Sequence, residues 1–179
     1  MFRKIRNMFI TFYLKNFKKL NEIEINILRM RKSGIKIGEN CRIFSNISSN
    51  EPTMISIGNN VTISSDVLFC THDNGVIKVL NGKTDAVGKI TVGNDCFIGM
   101  RSIIMLGVTL GDNCIVGAGS VVTKSFPSGT VIAGNPAKAI CSTEQYAEKY
   151  RNKSYDFRGV SLSERNEYIS AHPEFLVER

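Results

Sequence analysis

Aliphatic residues recur at every sixth position through the second half of the chain. Between residues 92 and 122 every position of this series is aliphatic, and four of its six members are followed by glycine. A period of six matches neither the 3.6-residue repeat of a helix nor the two-residue alternation of a long strand. It fits a short strand and a tight turn, in which glycine, Asn or Asp adopts the turn conformation. The series is Val92, Ile98, Ile104, Leu110, Val116 and Val122.

The same period appears earlier in the chain, with insertions near residues 50–52 and after residue 70. Three six-residue units make one triangular coil, and successive coils stack at about 4.8 Å, the spacing of strands in a sheet. Such repeats are typical of parallel β-helices. The pattern therefore predicts an all-β solenoid over residues 35–141. The earlier inward positions are Ile37, Ile43, Ile57, Ile63 and Phe69.

The two ends of the chain lack this repeat. Residues 1–34 contain no proline and no glycine before Gly34, which predicts an N-terminal helical segment. This segment is basic and amphipathic, so it could pack on the solenoid or a neighbouring subunit, or make peripheral contact with a membrane. Its apolar positions include Phe2, Ile5, Met8, Phe9 and Phe12.

Residues 142–179 form a third unit, a C-terminal helical tail. Helices are predicted over residues 143–152 and 162–170. They would cap the open end of the solenoid, where strand edges are otherwise exposed. The chain thus divides into an N-terminal segment, a solenoid domain and a tail.

Composition narrows the function classes. The net charge of +7 favours an anionic partner, which could be a nucleic acid, a membrane surface, or a phosphorylated cofactor or sugar. The basic residues are not interleaved with aromatic residues on a strand platform, so we expect no nucleic-acid partner. Five cysteines without a CxxC pair argue against both a disulfide framework and a zinc site. No secretory signal or long apolar stretch is evident, which predicts a cytoplasmic protein.

The segment from Ile90 to Ile140 carries the most specific motifs. It reads ITVGNDCFIGMRSIIMLGVTLGDNCIVGAGSVVTKSFPSGTVIAGNPAKAI, and it contains both AGSVVTK and AGNPAK. These motifs resemble the hexapeptide-repeat acyltransferases, in the branch that includes maltose and galactoside acetyltransferases. The resemblance covers residues 35–141. It implies a left-handed parallel β-helix, a homotrimer with three intersubunit sites, and acetyl-CoA as co-substrate in a groove between neighbouring coils.

The resemblance assigns the general base to His72, which follows the inward position Phe69 by three residues. A neutral imidazole, with an ordinary pKa of about 6.5, can remove the proton of an acceptor hydroxyl at neutral pH. The hydroxyl oxygen then attacks the thioester directly, without an acyl-enzyme. The chain is thus expected to be an acetyl-CoA-dependent O-acetyltransferase of a sugar or polysaccharide, with no bound metal.

The resemblance also implies binding residues. Asn46 falls where similar enzymes carry an acceptor-binding asparagine, although an asparagine in a turn explains it nearly as well. Asp73, next to the base, could orient the imidazole or bind the acceptor, although the family pattern does not require an acid there. The residues that match the cofactor-binding pattern are Gly99, Met100, Ala118, Gly119, Thr123, Lys124 and Lys138.

Several alternatives remain open at this stage. N-acetylation of an amino sugar or an antibiotic needs the same base, and a trimeric scaffold without activity is a further reading. Cys70 could pair with His72 in a ping-pong mechanism with an acyl-cysteine intermediate, although the hexapeptide-repeat acyltransferases do not use one. The other histidine, His172, lies outside the repeat. The branch of this fold that binds zinc through three histidines is excluded, since the repeat region contains one.

Overall fold

The computed structural model describes residues 20–175, together with residues 12, 15, 16 and 177. Three sheets of short parallel strands organise these residues, and we name them A, B and C. Sheet A contains β1 (Lys36–Ile37), β3 (Ile55–Ile57), β8 (Ile90–Val92) and β11 (Thr109–Leu110), in that order. Sheet B contains β2 (Arg42–Ile43), β4 (Thr62–Ile63), β9 (Phe97–Ile98), β12 (Ile115–Val116) and β14 (Thr130–Gly134). Sheet C contains β5 (Leu68–Phe69), β10 (Ile103–Ile104) and β13 (Val121–Val122).

The chain visits the three sheets in turn, so that each circuit forms one coil. In register, Val92 pairs with Leu110, and Ile98 pairs with Val116. Each partner lies three six-residue units further along the chain, as the periodicity predicts. All six aliphatic positions of the series are buried, and so are Cys96 and Cys114 of the intervening small positions. The prediction of stacked parallel strands around an aliphatic core is therefore confirmed, while the hand of the coils stays a prediction.

The turns between sheets A and B form a ladder of polar side chains. The Oδ1 atom of Asp112 accepts a hydrogen bond from the backbone N–H of Asn94 at 2.6 Å, and the Oδ1 atom of Asn94 accepts one from Asn59 at 2.9 Å. The next residue in each turn adopts a left-handed conformation, for example Asp95 at φ +56°. Asn and Asp tolerate this conformation best among residues with a side chain. This ladder is structural, and its polar groups are used within the fold.

The helix α1 (Glu22–Ser33) lies within the predicted helical segment, and the described residues 12, 15 and 16 are helical as well. Asn21 caps it through a capping box with Glu24, and Gly34 ends it in a left-handed conformation. Its buried residues, Ile25 and Met30 among them, belong to the core. Of the apolar positions predicted nearer the N-terminus, Phe12 is described and exposed, and the others lie outside the described residues. None of the described helices has the length and apolar character needed to cross a membrane.

The C-terminal tail begins with a strand that turns back. β15 (Ala137–Ser142) pairs antiparallel with β14, so the last strand edge of sheet B is covered. The helix α2 (Thr143–Tyr150) follows and contacts both strands. The helix α3 (Leu162–Ala171) lies further on, where Tyr168 packs against Tyr155 and Phe157. Both helices match their predicted positions within two residues.

Candidate active site

His72 lies where the chain leaves sheet C. It opens the short strand β6 (His72–Asp73), which pairs antiparallel with β7 (Ala86–Val87). This hairpin is the insertion predicted after residue 70, and it interrupts the coil between sheets C and A. Pairing at its base fixes the backbone of His72 against Val87. The imidazole is therefore held at a corner of the column.

A carboxylate that the sequence reasoning did not single out holds the imidazole. The Oε2 atom of Glu51 lies 2.9 Å from Nδ1 of His72. Both side chains are about 30 % exposed, so the pair is partly shielded yet open on one side. Glu51 comes from the turn before β3, in the other insertion near residues 50–52. With Nδ1 donating to a carboxylate, Nε2 is the nitrogen left to accept a proton.

Two hydroxyl groups fix Glu51 in turn. The Oγ1–H of Thr71 donates to Oε2 of Glu51 at 2.7 Å, and the Oγ atom of Ser49 lies 2.6 Å from Oγ1 of Thr71. The backbone N–H of Glu51 donates to Oγ of Ser49 at 3.0 Å. Thr71 is fully buried, so its hydroxyl needs these partners. The result is a connected network that runs from Ser49 to the imidazole.

This network shifts the pKa values of both members of the pair in opposite directions. The hydrogen bond from Thr71, followed by that from His72, lowers the pKa of the Glu51 carboxyl. The hydrogen bond to Glu51, followed by the attraction of its charge, raises the pKa of His72. The carboxylate therefore stays ionised at neutral pH, and the imidazole is a stronger base than an unpartnered histidine.

A pocket of about 340 Å³ opens beside the imidazole. His72, Thr71 and Cys70 form one wall, and the polar segment Ser48–Asn50 forms another. This size is within the range of small-molecule sites. The pocket can bring a small polar group within reach of His72. Ser48, Ser49 and Asn50 were not predicted, and the insertion near residues 50–52 was the one sequence signal that pointed to them.

The two predicted acceptor-side residues lie elsewhere. The Oδ1 atom of Asp73 accepts from the backbone N–H of Gly75 at 2.7 Å and caps the following 3-10 helix, so Glu51 and not Asp73 holds the imidazole. Asn46 is exposed and lines a separate groove against α1. Within one chain, neither side chain lines the pocket of His72.

Most of the predicted cofactor residues come together on the edge between sheets B and C, which we call the B–C edge. Gly99 and Met100 leave sheet B one coil below Ala118 and Gly119, and the N–H of Gly119 donates to the carbonyl of Met100 at 2.8 Å. Lys138 lies in β15, at the upper end of sheet B, where it pairs with Ala133 of β14. The side chain of Lys138 is exposed.

Along this edge, the packing of neighbouring coils leaves no room for a side chain at Gly99. A Cβ atom on Gly99 would come within 2.5 Å of the backbone nitrogen of Ala118. Beside Gly119, in contrast, there is open space. The edge thus combines small residues, Ala118 and Gly119, with the exposed side chain of Met100.

Thr123 and Lys124 lie on a different edge, which we call the C–A edge. They follow β13 of sheet C, two coils above Cys70 and Thr71, and both are exposed. The ammonium of Lys124 lies 5.6 Å from the ring centroid of Phe126. His72 lies on this same edge, so the width of sheet C separates it from Gly99 and Gly119 within one chain.

Of the two remaining candidates, His172 lies away from this site and Cys70 lies within it. His172 stacks on Tyr168 in the tail, with 4.2 Å between the ring centroids. Cys70 is partly buried and lines the pocket of His72. Across residues 20–175, no three His, Cys, Asp or Glu side chains are grouped as metal ligands would be.

Comparison with known proteins agrees with this architecture. The family model described as the hexapeptide repeat of succinyl-transferase matches residues 89–124. Protein CapG of Staphylococcus aureus is 42 % identical over 160 residues, which are 87 % of this chain and 93 % of CapG. The chain belongs to the hexapeptide-repeat acetyltransferase family, as its motifs predict.

Two further relatives indicate the range of the family. Galactoside O-acetyltransferase of Escherichia coli is 36 % identical over 125 residues, which are 69 % of this chain and 61 % of that enzyme. A hexapeptide-repeat acetyltransferase from Vibrio cholerae, solved in complex with acetyl coenzyme A, superposes with a TM-score of 0.50 at 26 % identity. That superposition covers 59 % of this chain and 64 % of the other.

Proposed function

We propose that the protein transfers the acetyl group of acetyl-CoA to a hydroxyl of a sugar or polysaccharide, with His72 as the general base. The observation that carries this proposal is the Glu51–His72 pair at 2.9 Å beside an open polar pocket. An oriented imidazole is the group that such a transfer needs. The solved acetyl-CoA complex and the galactoside O-acetyltransferase relative support the donor and the acceptor class.

The reaction follows from the geometry of the imidazole. Nε2 of His72 takes the proton of the acceptor hydroxyl as the oxygen bonds to the thioester carbon. The carbon–sulfur bond then breaks, and the imidazolium returns its proton to the departing thiolate of coenzyme A. Glu51 stays ionised throughout, holds Nδ1–H, and stabilises the transient positive charge on the ring. No covalent enzyme intermediate forms.

Acetyl-CoA is proposed to lie along the B–C edge. Ala118 and Gly119 are exposed on this edge, and the open space beside Gly119 leaves room for the pantetheine arm to lie against the chain there. Lys138 at the top of this edge can bind the phosphates as a point charge. Lys124 lies on the C–A edge, so it could reach them only from a neighbouring chain. The thioester then lies at the lower end of the arm.

A homotrimer would bring the two edges together. The outward face of sheet C is aliphatic, with Leu68 56 % exposed and Ile103 and Val121 partly exposed beside it. Exposed apolar strips of this kind are typical of subunit interfaces. Contact through this face would set His72 of one chain against the B–C edge of the next. We further propose left-handed coils, the three-part division at residues 34 and 141, and a cytoplasmic location.

The test is acetyl transfer by the purified protein with acetyl-CoA and a panel of sugars, nucleotide sugars and oligosaccharides. His72→Asn should lower turnover by about 10²–10⁴-fold, the usual worth of a general base. Binding of coenzyme A should be unchanged, since His72 holds no phosphate. His172→Asn serves as the matched control and should keep full activity. Full activity in His72→Asn would remove the proposed base.

A further inference from the structure

A groove of about 730 Å³ lies between α1 and the end of β2. Its walls offer an exposed ring at Phe44 and the side chains of Asn26, Arg29 and Asn46. The amide of Asn26 donates to the carbonyl of Ser45 at 3.0 Å, which joins the helix to the coil. Amide groups and an aromatic ring suit a sugar, and the guanidinium adds a preference for negative charge.

The groove is the lower end of the B–C edge. Asn46, Asp66, Arg101 and Gly119 each follow the inward residue of a sheet-B strand by three positions, and these inward residues pair in register. They therefore stack in one column. Arg101 lies two coils above Asn46, roughly 10 Å at the spacing of strands. A ligand in the groove that extends upward meets Arg101 before it reaches Gly119.

Arg101 has a backbone conformation that its residue type disfavours. Its φ is +58°, and the other non-glycine residues with positive φ in the described part of the chain are all Asn or Asp. For a residue with a long side chain, a single left-handed position is uncommon and points to function at that position. At the same corner of neighbouring coils, the left-handed position is occupied by Asp66 and by Gly119, residue types that adopt this conformation readily.

The contacts of Arg101 within the chain do not explain why an arginine occupies this left-handed position. Its Nε atom lies 3.8 Å from Oδ2 of Asp66, and both side chains are at least 70 % exposed. An ion pair this open contributes little to stability. The groove also contains Glu22, which is paired with Lys15 in an exposed ion pair, and the guanidinium of Arg42 lies over the ring of Phe44. The groove and the column above it thus hold the guanidinium groups of Arg29, Arg42 and Arg101 against the carboxylates of Glu22 and Asp66.

We propose that the acceptor is a saccharide that carries a carboxylate or a phosphate, and that Arg29 and Arg101 bind this anionic group. This inference rests on the proposed function and specifies the chemical class of its acceptor. Guanidinium groups bind both kinds of anion through paired hydrogen bonds. The neutral part of the saccharide lies against Phe44 and Asn46.

The test measures binding of three probes to the full-length protein, without acetyl-CoA, by saturation-transfer NMR titration. The probes are glucuronate, glucose 6-phosphate and glucose. Glucuronate, glucose 6-phosphate or both should bind about tenfold more tightly than glucose, since a hydrogen bond to a charged group contributes at least that factor. Tight binding of glucuronate alone identifies a carboxylate, and tight binding of the phosphate alone identifies a phosphate ester.

Variants locate this binding. Arg29→Gln and Arg101→Gln should each weaken binding of the acid towards that of glucose, whereas Arg151→Gln, which alters an arginine paired with Glu148 in the tail, should not. Arg101→Gly should also raise the melting temperature, because glycine relieves the left-handed strain. Equal binding of all three probes, no binding of either acid, or unchanged binding in both arginine variants overturns the inference. Transfer to a neutral sugar in that case would leave the role of His72 intact.

Discussion

The chemistry at His72 is set by one carboxylate and two hydroxyl groups. Glu51 accepts a hydrogen bond from Nδ1–H, and Thr71 with Ser49 holds Glu51 in place. Family resemblance and its place in the repeat identified His72, and the one acid that the sequence offered as a possible partner was the neighbouring Asp73. Glu51 lies 21 residues before His72, so only the fold of the corner brings the two together. The insertion near residues 50–52 was the available hint.

Glu51→Gln should move the acid limb of the pH profile of kcat/KM to lower pH. Transfer needs neutral His72, so activity falls as pH drops through the pKa of this group. Glu51 raises that pKa above 6.5, and its removal lets the pKa return towards the ordinary value. The plateau rate should fall as well, because the imidazole loses its charged partner.

The measurement is kcat/KM across pH 5 to 9 for the wild type and the variant, with Glu148→Gln as a control on the surface of the tail. An acid limb at the same pH in both enzymes would show that Glu51 does not act on His72. A limb that moves to higher pH would contradict the direction derived from the structure.

At the scale of the elements, each two-residue strand of the coils contributes one inward and one outward residue. A coil is stable because its inward aliphatic residue contacts those above and below it in the core. The sequence revealed this directly, since a six-residue period has few other physical explanations. It did not reveal where α1 begins, although Asn21 and Glu24 have the spacing of a capping box.

Ile98→Ala should destabilise the protein by about 2–5 kcal/mol, because it leaves a cavity in a core that cannot fully collapse. The matched control is Ile115→Ala in the adjoining strand of sheet B, where the side chain points outward and is partly exposed. That change should cost about 1 kcal/mol or less. Urea unfolding followed by circular dichroism measures both. Equal losses would contradict the inward and outward assignment.

At the scale of the whole molecule, the candidate site is divided between two edges of the column. His72 and its network lie on the C–A edge, while the small residues at Gly99, Ala118 and Gly119 lie on the B–C edge. Family resemblance predicted His72 and the small residues, but not the network around the imidazole. It could not show that sheet C stands between the sets, because that separation depends on which strands share a sheet.

Subunit complementation tests this division most directly. His72→Asn removes the base, and Ala118→Trp places a large side chain on the exposed B–C edge, so each variant alone should be inactive. Refolded together in equal amounts, they should regain about a quarter of the wild-type acetyl transfer, since one neighbouring pair in four joins an intact His72 to an intact edge. Activity that stays at the level of the separate variants would show that both edges act within one chain, and would contradict the account.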